Sequence, residues 1–84
     1  MITIGSVVKS KCGRDKERFF VVLKIEGDFL FLADGKVHKL LNPKKKRASH
    51  VSATRSIITT ETKTDKQLRN ALSPFYENEN GERI

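Results

Sequence analysis

The run Phe19-Phe20-Val21-Val22-Leu23-Lys24-Ile25 constrains the fold more than any other part of the chain. Aromatic and β-branched side chains dominate it, and such residues suit a pleated, packed strand better than a helix. Strict alternation predicts Phe19, Val21, Leu23 and Ile25 on one face, with Phe20, Val22 and Lys24 on the other. Its neighbours are equally short and turn-bounded. Gly5-Ser6-Val7-Val8-Lys9-Ser10-Lys11 reads as a first strand, and Gly13-Arg14-Asp15-Lys16 as a polar, glycine-led connection. Gly27-Asp28 makes a tight turn into Phe29-Leu30-Phe31-Leu32. Asp34-Gly35 favours a hairpin into a fourth strand, Val37-His38-Lys39-Leu40-Leu41. Asn42-Pro43 ends that strand, and 48–54 is read as a closing strand. Several short strands separated by turns predict a mainly β domain, a small barrel that covers its own sheet edges.

Beyond residue 54 the pattern changes. The segment 55–60 is β-prone but isolated. Thr64-Asp65-Lys66-Gln67 has the form of a capping box. Leu68, Ala71, Leu72 and Phe75 follow at helical spacing, and Pro74 is expected to limit the helix to about two or three turns. The polar stretch 77–84 is expected to be a disordered tail. The organisation is therefore read as a barrel over 1–54, an extended segment and short helix over 55–76, and the tail.

With 84 residues there is space for one thin core and hardly any for a deep substrate cleft, so an enzyme is not expected. A single cysteine, Cys12, excludes an intrachain disulfide and suits a reducing, cytoplasmic compartment. Cys12 with His38 and His50 offers none of the paired spacings of zinc sites, and nothing points to a Cys–His nucleophile pair; no metal or cofactor is expected. No run has the length to span a bilayer, and the first residues lack the pattern of a secretory signal. A monomer without membrane attachment is expected.

Charge is the feature that speaks to function. Formal net charge is +7, from 17 Lys and Arg against 10 Asp and Glu. Between Gly35 and Thr60 there is no acid, while Lys36, Lys39, Lys44, Lys45, Lys46, Arg47 and Arg55 are all basic. A field concentrated in this way attracts polyanions. A second group, Lys9, Lys11, Arg14, Lys16 and Arg18, is interrupted by Asp15 and Glu17. The run Lys44-Lys45-Lys46-Arg47 is expected to protrude as a loop or to begin the last strand. It would join Lys36, His38, Lys39 and the 13–18 loop in one phosphate-gripping face. Bases stack on exposed rings. Most of the aromatics are assigned to the core; Phe20, beside Arg18 on the less apolar strand face, is taken as the candidate platform.

Gly5-Ser6-Val7-Val8, Gly13-Arg14-Asp15-Lys16 and Val21-Val22-Leu23-Lys24-Ile25 together resemble a KOW motif, a strand–loop–strand unit of ribosomal proteins and transcription elongation factors. With Ala33-Asp34-Gly35 and Ser49-His50-Val51-Ser52-Ala53-Thr54, residues 2–54 are similar to the "fourteen-e" KOW proteins of large ribosomal subunits and their short bacterial relatives. Glu17 and Phe20 stand where many such motifs carry glycine. The resemblance implies an SH3-like barrel of about five strands, a bulge within 22–25, and binding of structured RNA, often ribosomal RNA, with the 13–18 loop as one contact. It also leaves a second role open, an adaptor docking on proteins of the translation or transcription machinery, for which Ile57, Ile58, Leu68 and Leu72 would present the apolar surface.

Overall fold

The computed structural model describes residues 2–58 and 62–81. These form strands β1 (Ser6–Ser10), β2 (Phe19–Glu26), β3 (Phe29–Ala33), β4 (Lys44–Arg47) and β5 (Val51–Ile57), a 3-10 turn at Ala48–His50 before β5, and helix α1 (Asp65–Gly81). All five strands belong to one antiparallel sheet, ordered β4-β3-β2-β1-β5. The two edge strands, β4 and β5, are consecutive in the chain. Four residue steps from Arg47 to Val51 reach at most about 14 Å, whereas the outer strands of a flat five-stranded sheet lie roughly 19 Å apart. The sheet must therefore curl, and it takes a barrel-like shape without a closed hydrogen-bond ladder.

Both faces of the sheet are covered. On the side toward which it curls, Val8, Phe20, Val22, Leu30, Leu32 and Val51 form one cluster. On the other, Val7, Phe19, Val21 and Ala33 meet Leu68 and Leu72 of α1. Strands buried on both faces read as continuous apolar runs, which is why the first four residues of β2 are all buried. Alternation holds for those four. A bulge between Val22 and Lys24 then shifts the register. Ile25 pairs with Leu30 and Lys24 with Phe31, so Ile25 leaves the Phe19 face on which simple alternation puts it.

Three expectations fail for identifiable reasons. No strand forms over 37–41. The Asp34 carboxylate accepts the backbone N–H groups of Lys36, Val37 and His38 at 3.0, 3.1 and 2.9 Å. Asp65 accepts that of Leu40 at 2.8 Å. Donors that a ladder would use are captured by side chains, and Leu41, an apolar residue of the pattern, is 98% exposed. The fourth strand is instead Lys44–Arg47, and β5 runs to Ile57, so 55–57 of the segment expected to be isolated belong to a strand paired with β1.

The third failure is the helix, which does not stop at Pro74. The capping box forms as expected: the Gln67 N–H donates to Thr64 Oγ1 at 3.1 Å, and Gln67 Oε1 accepts from the Lys63 and Thr64 N–H groups. An interior proline costs about 3 kcal/mol, but burying one Leu or Phe returns roughly 1.5–3 kcal/mol. Leu68 and Leu72 are buried and Phe75 packs on Phe19 with ring centroids 5.6 Å apart. Past the proline, Tyr76 meets Phe19 edge-on at 5.1 Å and its hydroxyl accepts the Phe19 N–H at 2.9 Å. The contacts of Phe75 and Tyr76 with Phe19, which lie past the proline, offset the broken turn. The backbone stays helical through Gly81, over residues expected to be a tail; 82–84 lie outside the described residues, as do 59–61 of the segment before the helix.

Candidate nucleic-acid interface

The basic run of the sequence is a strand, and a strand sends successive side chains to opposite faces. Lys44 and Lys46 pair with Leu32 and Leu30 and are half-buried; Lys45 and Arg47 pair with Phe31 and Phe29 and are exposed. The expected single face is thus split into two.

Lys44 and Lys46 turn toward the β1–β2 loop. Lys46 Nζ donates to the Cys12 carbonyl at 3.0 Å, and Lys44 Nζ lies 3.9 Å from the Asp15 carboxylate. Asp15 is buried, and it also holds His38 Nε2 at 3.1 Å. His38 sits against Phe20 with ring centroids 5.7 Å apart. Arg18 Nη1 reaches Asp34, also buried, at 3.4 Å. A groove lined by Arg14, Asp15, Arg18, Val37, His38 and Lys44 results. Of the two buried carboxylates, Asp15 lines it and engages His38 and Lys44, while Asp34 engages Arg18. Arg14 and Lys16 on the loop, Lys11 at its start, and Lys36 and Lys39 on the 34–42 segment are exposed. Lys9 is half-buried, 4.0 Å from Glu17 and over the Phe19 ring.

The loop itself is strained. Its backbone is tied by Ser10 N–H to Arg18 carbonyl (2.9 Å) and Glu17 N–H to Ser10 carbonyl (2.8 Å). Glu17 closes it with φ +70°, a left-handed conformation natural to glycine. The position that resembles a KOW glycine demands a glycine-like backbone and carries a glutamate.

On the other side of β4, Lys45 Nζ lies 4.7 Å from the Phe29 ring centre and 5.8 Å from that of Phe31; the Arg47 guanidinium lies 4.9 Å from Phe29. The β2 bulge brings Lys24 onto the same face, 5.5 Å from Phe31. Both rings are half-exposed. Among the described residues neither Lys45 nor Arg47 makes an ion pair. Glu26 is the countercharge at this end. Its carboxylate pairs with Lys24 at 2.9 Å. The Lys24 hydrogen bond first, then the Lys24 charge, hold its pKa below the usual carboxylate value against desolvation, and the Lys45 charge adds a smaller effect in the same direction.

The aromatic assignment is therefore reversed. Phe20, read as an exposed platform, is fully buried, because both faces of the central strand are covered. Phe29 and Phe31 are the rings beside the basic run. The Phe-Leu-Phe-Leu pattern hid this, since alternation between two apolar types carries no polarity signal. Only the placement of Lys45 and Arg47 opposite the two phenylalanines distinguishes the faces. The apolar surface expected for an adaptor is also corrected: Leu68 and Leu72 are in the core, Ile58 packs against it, and Ile57 alone of the four is exposed. No helix among the described residues is long and apolar enough to cross a membrane. No family model matches the chain, and no curated protein matches it.

Proposed function

We propose that the protein is an RNA-binding module that grips structured RNA by phosphate and shape, with ribosomal RNA the class that the KOW resemblance implies. The observation that carries this is the outer face of β4, where Lys45 and Arg47 stand exposed, without ion pairs among the described residues, over two half-exposed rings. The Lys46–Cys12 hydrogen bond ties the inner side of β4 to the 11–18 loop, so the exposed Lys11, Arg14 and Lys16 form a second positive surface beside the strand. A ribosome-associated or assembly role belongs to this reading, as does the KOW kinship, which the bulge in β2 and the left-handed backbone at Gly13 and Glu17 support. An adaptor role has less behind it, because two of its four apolar residues are buried.

Contact with about five phosphates gives a slope of log K against log salt of roughly −3.5 to −4.5. A filter-binding titration of structured RNA across salt concentrations measures it. Replacing Lys44, Lys45, Lys46 and Arg47 together by Glu is expected to abolish binding. Affinity independent of salt, or binding unchanged in that variant, overturns the proposal.

A further inference from the structure

We infer that the outer face of β3–β4 is a seat for unpaired RNA bases, stacked on Phe29 and Phe31, with Lys45 and Arg47 meeting the phosphates that flank them; this rests on the RNA-binding reading above and names the part of the RNA that this face takes.

A charged edge strand has a plain structural use, since lysines discourage pairing with another sheet. That use is met by Lys44–Arg47 and does not call for two half-exposed phenylalanines on the neighbouring strand. Rings at alternate strand positions stand roughly 6.7 Å apart along the strand. Bases in a helix step by only about 3.4 Å. Two bases lying on these two rings are therefore splayed from each other, as in an unpaired loop or bulge, and a duplex keeps its base faces hidden within its own stack.

In the free protein the cations lie over the rings. Such an exposed cation–ring contact favours the covered state by roughly two- to fivefold. Stacking of one base on a ring favours binding by roughly five- to 150-fold. A base therefore displaces the ammonium or guanidinium, and the long side chain swings aside to a phosphate. Charge complementarity selects a nucleotide over a neutral aromatic partner. Phe31 lies between Lys24 and Lys45, while the Phe29 end borders Glu26 across the β2–β3 pair.

The test compares Phe29→Leu/Phe31→Leu with Phe29→Tyr/Phe31→Tyr, after thermal unfolding has shown both variants folded. The probes are a short single-stranded RNA carrying 2-aminopurine and a fully paired RNA duplex. The wild-type and Tyr proteins are expected to quench 2-aminopurine fluorescence. The Leu variant loses quenching and about tenfold or more of single-strand affinity per ring, with its salt slope and duplex binding unchanged. Equal single-strand affinity and quenching in the Leu and Tyr variants, beside intact wild-type RNA binding, overturns this inference alone. Wild-type protein that binds neither RNA overturns it together with the RNA-binding reading.

Discussion

The two sides of β4 differ in what their cations are for. On the inner side, Arg18, His38 and Lys44 face the buried carboxylates Asp15 and Asp34. Burying a carboxylate is costly unless it is paired and hydrogen-bonded, so Arg18 and Lys44, with the His38 ring, are committed to holding two loops in place. On the outer side, Lys45 and Arg47 rest on Phe29 and Phe31. A cation–ring contact leaves the charge in water and costs little to break. Formal charge counts both groups alike; only the second, with the exposed loop lysines, is at liberty to exchange counterions for phosphates. Binding capacity follows unpaired cations rather than total cations.

The largest effect that can break this comparison is on stability. Asp34→Ala leaves three backbone N–H groups and the Arg18 guanidinium without their acceptor. The expected loss is about 3 kcal/mol by urea unfolding, a large share of the roughly 4–13 kcal/mol typical of a chain this size. A loss under about 1 kcal/mol means that Arg18 and the Asp34 turn are not structural. The double variant Lys45→Ala/Arg47→Ala is the counterpart on the outer face. Unfolding free energy is expected to stay within about 0.5 kcal/mol of the parent. RNA affinity is expected to fall roughly 30-fold at physiological salt, with the salt slope shallower by about 1.4–1.8. If the two variants exchange phenotypes, the division between the faces is wrong.

The 13–18 loop lies between these extremes and sharpens the comparison. Glu17 holds φ +70°, and its carboxylate is mostly exposed, 4.0 Å from Lys9. Glu17→Gly removes the left-handed strain, about 1 kcal/mol, and removes a negative charge from the edge of the basic surface. Higher urea resistance and severalfold tighter RNA binding are both expected. A gain in stability without a gain in affinity places this loop outside the contact surface.

How much of this was legible in the sequence depended on which forces act locally. β1, β2 and β3 followed from short β-prone runs between glycine turns, and the cap of α1 from Thr64 and Gln67, because the determinants lie within a few residues. The 37–41 segment misled because its fate is set by Asp34 and by Asp65, which is 25 residues away from Leu40. Pro74 misled because propensity knows nothing of Phe19, 57 residues from Tyr76 in the chain and in contact with it. Phe20 misled because covering both sheet faces removes the polar side that alternation presumes. The basic run was visible at once, but its division into committed and available cations depends on a strand that only the pairing with β3 establishes.

The smallest expected effect tests the availability argument most directly. Lys24 belongs to the outer face by position, over Phe31, yet it is the one cation there tied to a carboxylate, Glu26, at 2.9 Å. That pair is at the surface, so its contribution to stability is small. Replacing Glu26 by Gln keeps a hydrogen-bonding partner of similar shape and removes the charge. If binding follows unpaired cations, the freed Lys24 adds up to one phosphate contact: affinity rises roughly two- to fivefold and the salt slope steepens by up to about 0.9. Unfolding free energy should not move measurably. Glu26 is the acid nearest the rings in the β2–β3 register, so the gain should be greater for single-stranded RNA carrying 2-aminopurine than for a duplex. An equal gain on both probes makes the effect one of general field, with Lys24 still held outside the contact; no gain on either shows that Lys24 was never in reach of the backbone, and the outer face then reduces to Lys45 and Arg47.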